Sequence, residues 1–123
     1  MTNAQRWLDG YIRAWESKDP SILREIFTDD AEYWFQPDDP EPLRGIDAIE
    51  TMWREGREGR EPAVPRHALR VLFEDDRVGI ITGTISYPGH ESYSNLWEVH
   101  FAEDGRAQRF VEWYMPMSKA ADG

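Results

Sequence analysis

Hydrophobic and polar residues alternate through the last third of the chain, and this pattern predicts two long β-strands. The strands cover residues 94–101 and 107–115. Between them, Asp104-Gly105 supplies the positive φ that a tight hairpin turn requires. Because successive side chains of a strand point to opposite sides of a sheet, the hairpin presents two faces of different composition.

One face of this hairpin carries a carboxylate among aromatic residues. Alternation places Phe110, Glu112 and Tyr114 on the same side of the second strand. Asn95 and Trp97 share one side of the first strand. Glu112 therefore lies either at the rim of the sheet or in a pocket, depending on which side the rest of the chain covers.

Periodic apolar residues predict three helices elsewhere in the chain. Apolar residues three and four positions apart over residues 3–17 indicate an amphipathic helix. Asp19-Pro20 suits the N-cap and first position of a second helix, which we expect to bury Phe27 and to end at residues 28–30. A third helix follows Gly45. Further strands are predicted at 31–36, 67–74 and 77–87, with irregular segments at 37–42, 56–66 and 88–90.

The order of these elements indicates an α+β fold. Two helices, a strand and a third helix precede four strands in an antiparallel meander. We therefore expect three N-terminal helices packed on a strongly curved, mainly antiparallel sheet with a central pocket on its concave side. Gly79 and Gly83 share one face of a predicted strand, where glycine permits sharp curvature and leaves space.

Composition narrows the class of protein. The chain has 123 residues, 40% of them hydrophobic, and a formal net charge of −10. We expect one domain over residues 1–123, which binds neither nucleic acid nor an anionic membrane surface, because both require a basic face. The chain has no cysteine, no run of about 20 apolar residues and no signal-peptide segment, so we expect a cytoplasmic protein.

Several short phrases of the sequence resemble the nuclear transport factor 2-like superfamily, in particular its SnoaL-like and ketosteroid isomerase-like group. They are Tyr11-Ile12, Phe27-Thr28-Asp29-Asp30-Ala31, Leu43-Arg44-Gly45 and Phe101-Ala102-Glu103-Asp104-Gly105-Arg106. These phrases span nearly the whole chain, and the resemblance implies a cone-shaped fold around a pocket. The superfamily includes polyketide cyclases, scytalone dehydratase and limonene epoxide hydrolase, so the resemblance implies a small organic ligand but no particular reaction.

Of the three catalytic residues of ketosteroid isomerase, this sequence matches one. Tyr11 falls at the position of the tyrosine in the first helix, whose hydroxyl forms half of an oxyanion hole. The aspartate base is replaced by the stretch Phe35-Gln36-Pro37, and the second oxyanion donor by Trp97. The comparison therefore implies that this chain does not isomerise steroids by that route. SnoaL-type cyclases pair a carboxylate with a histidine, and the chain offers no certain match for that histidine.

Glu112 and Tyr11 are the candidate catalytic residues. Desolvation among aromatic side chains would raise the pKa of Glu112 and suit it to general acid/base chemistry. The alternative is a structural carboxylate bonded to Tyr11, Asn95 or Trp97. Tyr11 is either a donor to a ligand or a buried tyrosine with a satisfied hydroxyl. The candidate substrate-binding residues are Trp15, Tyr33, Phe35, Met52, Trp53, Asn95, Trp97, Phe110 and Tyr114.

The histidines provide no metal-binding motif. His67, His90 and His100 are scattered without the spacing of a zinc site, so we predict neither a metal nor a cofactor. His100 should point away from the concave side because it alternates with Val99 and Phe101. Whether His67, at the start of a strand, reaches the mouth of the pocket stays open at this point.

Two functions of different classes remain possible from the sequence. The first is a cofactor-independent enzyme, or a specific binder, for a small apolar or aromatic organic molecule. The second is a non-catalytic module whose cone is filled by aromatic side chains. In either case we expect a homodimer formed through the outer face of the sheet, because large aromatic residues there would otherwise face water. The residues expected at this interface are Trp34, His100, Val111 and Trp113.

Overall fold

The computed structural model describes residues 2–56, 66–87 and 92–117. The helices are α1 (Asn3–Ser17), α2 (Leu23–Ile26, after a 3-10 turn at Pro20–Ile22) and α3 (Ile46–Gly56). The strands are β1 (Phe27–Trp34), β2 (Leu43–Arg44), β3 (Arg66–Glu74), β4 (Val78–Ser86), β5 (Ser92–Phe101) and β6 (Ala107–Pro116). The predicted turn at 88–90 and all but the ends of the predicted loop at 56–66 lie outside the described residues.

The six strands form one sheet, in the order β2-β1-β6-β5-β4-β3. Strands β3 to β6 are the predicted antiparallel meander, while β1 runs parallel to β6 and the short β2 forms the edge beyond it. In the β5–β6 hairpin, Gly105 adopts a φ of 85°, and Trp97 lies directly opposite Glu112. The prediction of an α+β fold with a mainly antiparallel sheet is confirmed.

The boundary between the second helix and the first strand was predicted wrongly. Phe27 was assigned to the helix, but it opens β1, with an extended backbone and Ala107 of β6 as its partner. The strand ends at Trp34 rather than residue 36. An apolar residue at helical spacing cannot reveal this change, because the pairing that draws Phe27 into the sheet comes from residues far away in sequence. The short strand β2 was not predicted.

Helix α1 lies along the concave side of the sheet. At its beginning the Thr2 hydroxyl caps the helix, and the Ala4 N–H bonds to a carboxylate oxygen of Glu74 at 3.3 Å. At its end, Trp15 packs against His67 on β3. A helix placed in this way buries its whole apolar stripe against the sheet. The inner faces of β1, β5 and β6 therefore meet α1 rather than water.

Gly83 allows the backbones of β3 and β4 to approach each other closely. It has a φ of 146°, and an added Cβ would lie 1.9 Å from the carbonyl oxygen of Ala68. Gly45, which precedes α3, also has a positive φ, of 93°, but an added Cβ there would meet its nearest atom at 3.8 Å. An alanine at position 45 would therefore meet backbone strain alone, whereas an alanine at position 83 would meet both backbone strain and a steric clash.

Gly83→Ala should therefore destabilise the protein more than Gly45→Ala. We expect Gly45→Ala to lower the free energy of unfolding by about 1–2 kcal/mol, the cost of a left-handed backbone for a residue with a Cβ. Gly83→Ala adds a backbone clash and should cost about 3 kcal/mol or more. Urea denaturation of both variants measures the difference; equal losses would contradict the steric role of Gly83.

Candidate functional site

Seven aromatic side chains pack together on the concave side of the sheet, and we call them the aromatic cluster. They come from α1, β1, α3, β5 and β6. All are buried, and their rings touch one another at centroid distances between 4.6 and 6.3 Å. The cluster consists of Trp7, Tyr11, Phe27, Tyr33, Trp53, Trp97 and Phe110.

Tyr11 occupies the centre of this cluster. Its ring centroid lies 4.8 Å from that of Trp97 and 5.0 Å from that of Trp7. Trp53 of α3 stands edge-on to it at 5.0 Å. The candidate donor thus lies where the sequence placed it, on the concave side, but within a nearly closed packing of rings.

The candidate base Glu112 is half-buried beside this cluster. It lies opposite Trp97. Its Oε1 accepts a hydrogen bond from the Tyr33 hydroxyl, and the two oxygens are 3.3 Å apart. Tyr33 reaches it because β1 pairs with β6 in parallel and aligns Tyr33 with Phe110. Tyr33 was predicted as a substrate-binding residue, and the structure makes its hydroxyl a direct partner of the carboxylate.

The remaining candidates form a rim around the cluster. Tyr114 is 52% exposed and stands edge-on to Tyr93. Phe35 lies beyond the end of β1 and is also exposed, whereas Met52 is half-buried. Asn95 is buried, and its side-chain amide donates to the carbonyl of Tyr93 at 3.3 Å. Asn95 and Tyr114 face each other near the end of β6, whereas Met52 belongs to α3 and packs against the core.

His67 lies on the same side of the sheet as the cluster. Its ring stacks on Trp15 at a centroid distance of 6.0 Å, and its Nε2 is 3.9 Å from a carboxylate oxygen of Glu16. It faces inward from β3, opposite the buried Ile85 of β4. The structure therefore places His67 at the rim formed by the end of α1, a position that the sequence left open.

Trp7 is the residue of this site that sequence reasoning missed. It was predicted only as part of the apolar stripe of α1, although it lies one turn before Tyr11 on the same face. Its indole Nε1, like that of Trp97, is buried without a hydrogen-bond partner among the described residues. A buried donor left unsatisfied costs about 1–3 kcal/mol, so such groups are unusual inside a core.

The outer face of the sheet carries a network of charges and indoles. The Trp34 indole donates to Glu32 at 3.1 Å, and Arg109 and Arg44 both pair with the same carboxylate. The Trp34 hydrogen bond, followed by the charges of Arg44 and Arg109, lowers the pKa of Glu32 although burial opposes the shift. Glu32 therefore remains a carboxylate and holds the two arginines at this edge.

A second network continues along the outer face of β5 and β6. Glu98 accepts a hydrogen bond from the Trp113 indole at 2.6 Å, and its other oxygen lies 3.0 Å from Nε2 of His100. Trp113 is still 47% exposed. Val111, which was expected to be open to solvent, is only 7% exposed because it lies between Trp34 and Glu98 on the neighbouring strands. The outer apolar surface is thus smaller than the alternation predicts.

A polar depression of about 430 Å³ opens on this outer face. It is lined by Asp30, Glu32, His100, Gln108 and Arg109. In the parts of the chain that the structure describes, no group of three or more acidic, histidine or cysteine side chains is arranged to hold a metal ion. None of the helices there is long and apolar enough to cross a membrane.

The sequence matches the model of a known protein family. The family model described as SnoaL-like domain matches residues 8–115, and the chain belongs to this family. No curated protein matches the sequence.

Solved structures show the same fold at low sequence identity. An NTF-2 like protein of unknown function from Burkholderia xenovorans is 17% identical, with a TM-score of 0.72 over 95% of this chain and 86% of that one. A candidate SnoaL-like polyketide cyclase from Shewanella denitrificans is 15% identical, with a TM-score of 0.72 over 91% and 90%. An LEH-like epoxide hydrolase from M. tuberculosis is 15% identical, with a TM-score of 0.64 over 92% and 83%. At these identities the likeness establishes the cone-shaped fold alone.

The Tyr33–Glu112 hydrogen bond yields a titration experiment. A donor to the charged form of a carboxylate lowers its pKa, so Tyr33→Phe should raise the pKa of Glu112. Carboxyl NMR measures both proteins, with Glu112→Gln to assign the signal, and Tyr114→Phe serves as the control because that hydroxyl lies at the exposed rim. An unchanged or lower pKa in Tyr33→Phe would contradict the bond. In the parent protein, a value at or below about 4.3 would contradict the expected effect of burial.

Proposed function

We propose that this protein binds a small, mainly apolar or aromatic organic molecule on the concave side of its sheet and catalyses a proton transfer without a cofactor. Glu112 acts as the acid/base, and Tyr11 polarises an oxygen of the ligand. The observation that carries this proposal is the half-buried Glu112 carboxylate, held at 3.3 Å by the Tyr33 hydroxyl beside an aromatic cluster. A carboxylate in such surroundings suits proton transfer near neutral pH.

The family supports a role in binding or transforming a small molecule. Proteins of this fold include the candidate polyketide cyclase and the epoxide hydrolase compared above. The names of both indicate small organic substrates. The substrate-binding residues proposed here are the buried Trp53 and Phe110 and the rim residues Phe35, Met52 and Tyr114. Trp15, Tyr33, Asn95 and Trp97 complete the set.

The second candidate function is a non-catalytic binding or assembly module. The close packing of rings around Tyr11 favours it, because these side chains occupy much of the concave side themselves. The two candidates differ in what Glu112 does. A catalyst needs its carboxylate to exchange protons with a ligand, whereas an assembly module does not.

Proton exchange distinguishes the two candidates. Tetralone and cyclohexenone carry acidic hydrogens beside a carbonyl, and we expect the protein to accelerate their exchange for deuterium in heavy water, followed by NMR. Glu112→Gln should slow this exchange by about 10²–10⁴-fold, the usual contribution of a general acid/base. Tyr11→Phe should slow the exchange while leaving the free energy of unfolding nearly unchanged. A parent protein without acceleration, or a Tyr11→Phe variant that loses about 1–3 kcal/mol of stability with its rate unchanged, would favour the module.

We also propose that two copies associate through the outer face of the sheet. Leu96 and Trp113 are adjacent exposed apolar residues there, opposite each other on β5 and β6. The same face carries Glu98 and Arg109, so a two-fold contact can pair acidic with basic groups of the other copy. Apolar surface ringed by charges is typical of protein interfaces.

Trp113→Glu should therefore convert a dimer to a monomer. The substitution places a like charge beside Glu98 and removes the largest exposed apolar group of this face. Light scattering at micromolar concentration measures the mass. Leu72→Glu on the edge strand β3, where the residue is similarly exposed, is the control and should leave the mass at two chains. A parent protein with the mass of one chain would refute the interface.

A further inference from the structure

Two exposed aromatic rings lie beside the carboxylate of Glu112 at the rim of the concave side. Phe35 is 37% exposed and Tyr114 is 52% exposed. The ring of Phe35 lies 5.1 Å from that of Tyr33, whose hydroxyl donates to Glu112. Tyr114 follows Glu112 by two positions on the same side of β6. A molecule bound at this rim therefore meets one carboxylate and two aromatic rings together.

Further carboxylates lie on both sides of this rim. Asp39, in the segment after β1, accepts a hydrogen bond from the backbone N–H of Phe35 at 3.0 Å. Across the concave side, the Glu16 carboxylate lies near the end of α1, beside His67. The whole chain carries a formal net charge of −10. An acidic cleft raises the local concentration of cations and disfavours anions.

The exposed rings at the rim add to this attraction. The face of an aromatic ring carries a partial negative charge, so it attracts a cation placed over it. The outer face of the sheet shows such a contact within the chain, where the guanidinium carbon of Arg109 lies 5.5 Å from the centroid of the Trp34 ring. Neither Phe35 nor Tyr114 has a basic side chain of the described residues over its ring. Because both rings are exposed, a ligand cation can reach them.

The Glu112 carboxylate can pair with such a cation while it keeps its hydrogen bond to Tyr33. A carboxylate has about four lone-pair sites, and one hydroxyl occupies only one of them. The half-buried position of Glu112 reduces screening by water and strengthens its attraction to an opposite charge. A ligand that covers this carboxylate also strips water from it, and only a positively charged ligand offsets that cost.

We propose that the ligand of this site is an organic ammonium ion, in which an apolar or aromatic body carries a positively charged nitrogen. The nitrogen lies between the rings of Phe35 and Tyr114 and faces Glu112. This proposal rests on the proposed function, to which it adds the chemical class of the ligand. A neutral molecule of the same shape lacks both the charge pairing and the attraction to the ring faces, so it binds more weakly.

The experiment compares two probes of one shape, of which only one carries an ammonium group. In meta-hydroxyphenyl-trimethylammonium a positively charged nitrogen replaces the central carbon of the butyl group in meta-tert-butylphenol. Titrations at neutral pH, followed in proton–nitrogen NMR spectra of the backbone amides, measure both dissociation constants. We expect the ammonium probe to bind at least about tenfold more tightly and to move the amide signals of Glu112 and Tyr114.

One pair of variants tests the carboxylate. Glu112→Gln should reduce the preference for the ammonium probe by about tenfold or more, because the amide has no charge to pair with it. Glu103→Gln, at the turn between β5 and β6, is the matched control. It removes the same charge from an exposed position away from the rim, and it should change the preference by less than about twofold.

A second set of variants tests the rings. Phe35→Leu and Tyr114→Leu each keep an apolar side chain, and both should fold because the residues are exposed. Each should weaken binding of the ammonium probe by about two- to fivefold, the worth of one exposed cation–π contact, and leave the neutral probe nearly unaffected. Phe73→Leu is the control, because Phe73 is 54% exposed on the edge strand β3, where it pairs with Ile80.

The outcomes separate this inference from the proposed function. If both probes bind equally and move the same amides of the concave side, the ammonium site is refuted while ligand binding stands. If neither probe moves any amide there, the ammonium site and the proposed function both fail. A preference that survives Glu112→Gln, or that Glu103→Gln reduces to the same extent, would come from the net charge of the chain and would overturn the inference.

Discussion

The structure depends on one packing constraint, which is that a single aromatic cluster must be closed by elements from both ends of the chain. Trp7 and Tyr11 come from α1, while Trp97 and Phe110 come from the final hairpin. Each ring buries roughly 150–250 Å², worth about 4–6 kcal/mol before the cost of ordering the chain. The position of α1 and the pairing of β1 with β6 both serve to close this cluster.

The two sides of the sheet differ in how their indole N–H groups and carboxylates are hydrogen-bonded. On the outer face, Glu32 and Glu98 each accept an indole N–H and also contact a basic side chain. On the concave face, the Tyr33 hydroxyl donates a hydrogen bond to Glu112 beside the cluster. The outer carboxylates are thus paired with indoles and basic groups, whereas the buried indole nitrogens of Trp7 and Trp97 have no hydrogen-bond partner among the described residues.

Local patterns predicted much of this architecture but not the contacts that create the site. The bounds of α1 and the β5–β6 hairpin follow from periodicity and from the turn at Gly105, because both signals lie within the segment itself. The beginning of β1 at Phe27 and the bond from Tyr33 to Glu112 depend on a parallel pairing across about eighty positions, which no local pattern contains. The position of His67 against Trp15 depends in the same way on where α1 ends over β3.

The cluster is buried and its rim is exposed, so the two should tolerate amino-acid substitution to different degrees. Exchanging a ring such as Tyr11 or Phe110 alters the folded core and the proposed ligand site at once, so each change must be tolerated by both. Phe35 and Tyr114 are exposed and can be exchanged with little loss of stability. If the proposed ligand binds there, new preferences are most accessible through the rim, while the cluster preserves the fold. A fold organised in this way can acquire different chemistries among its descendants without rebuilding its interior.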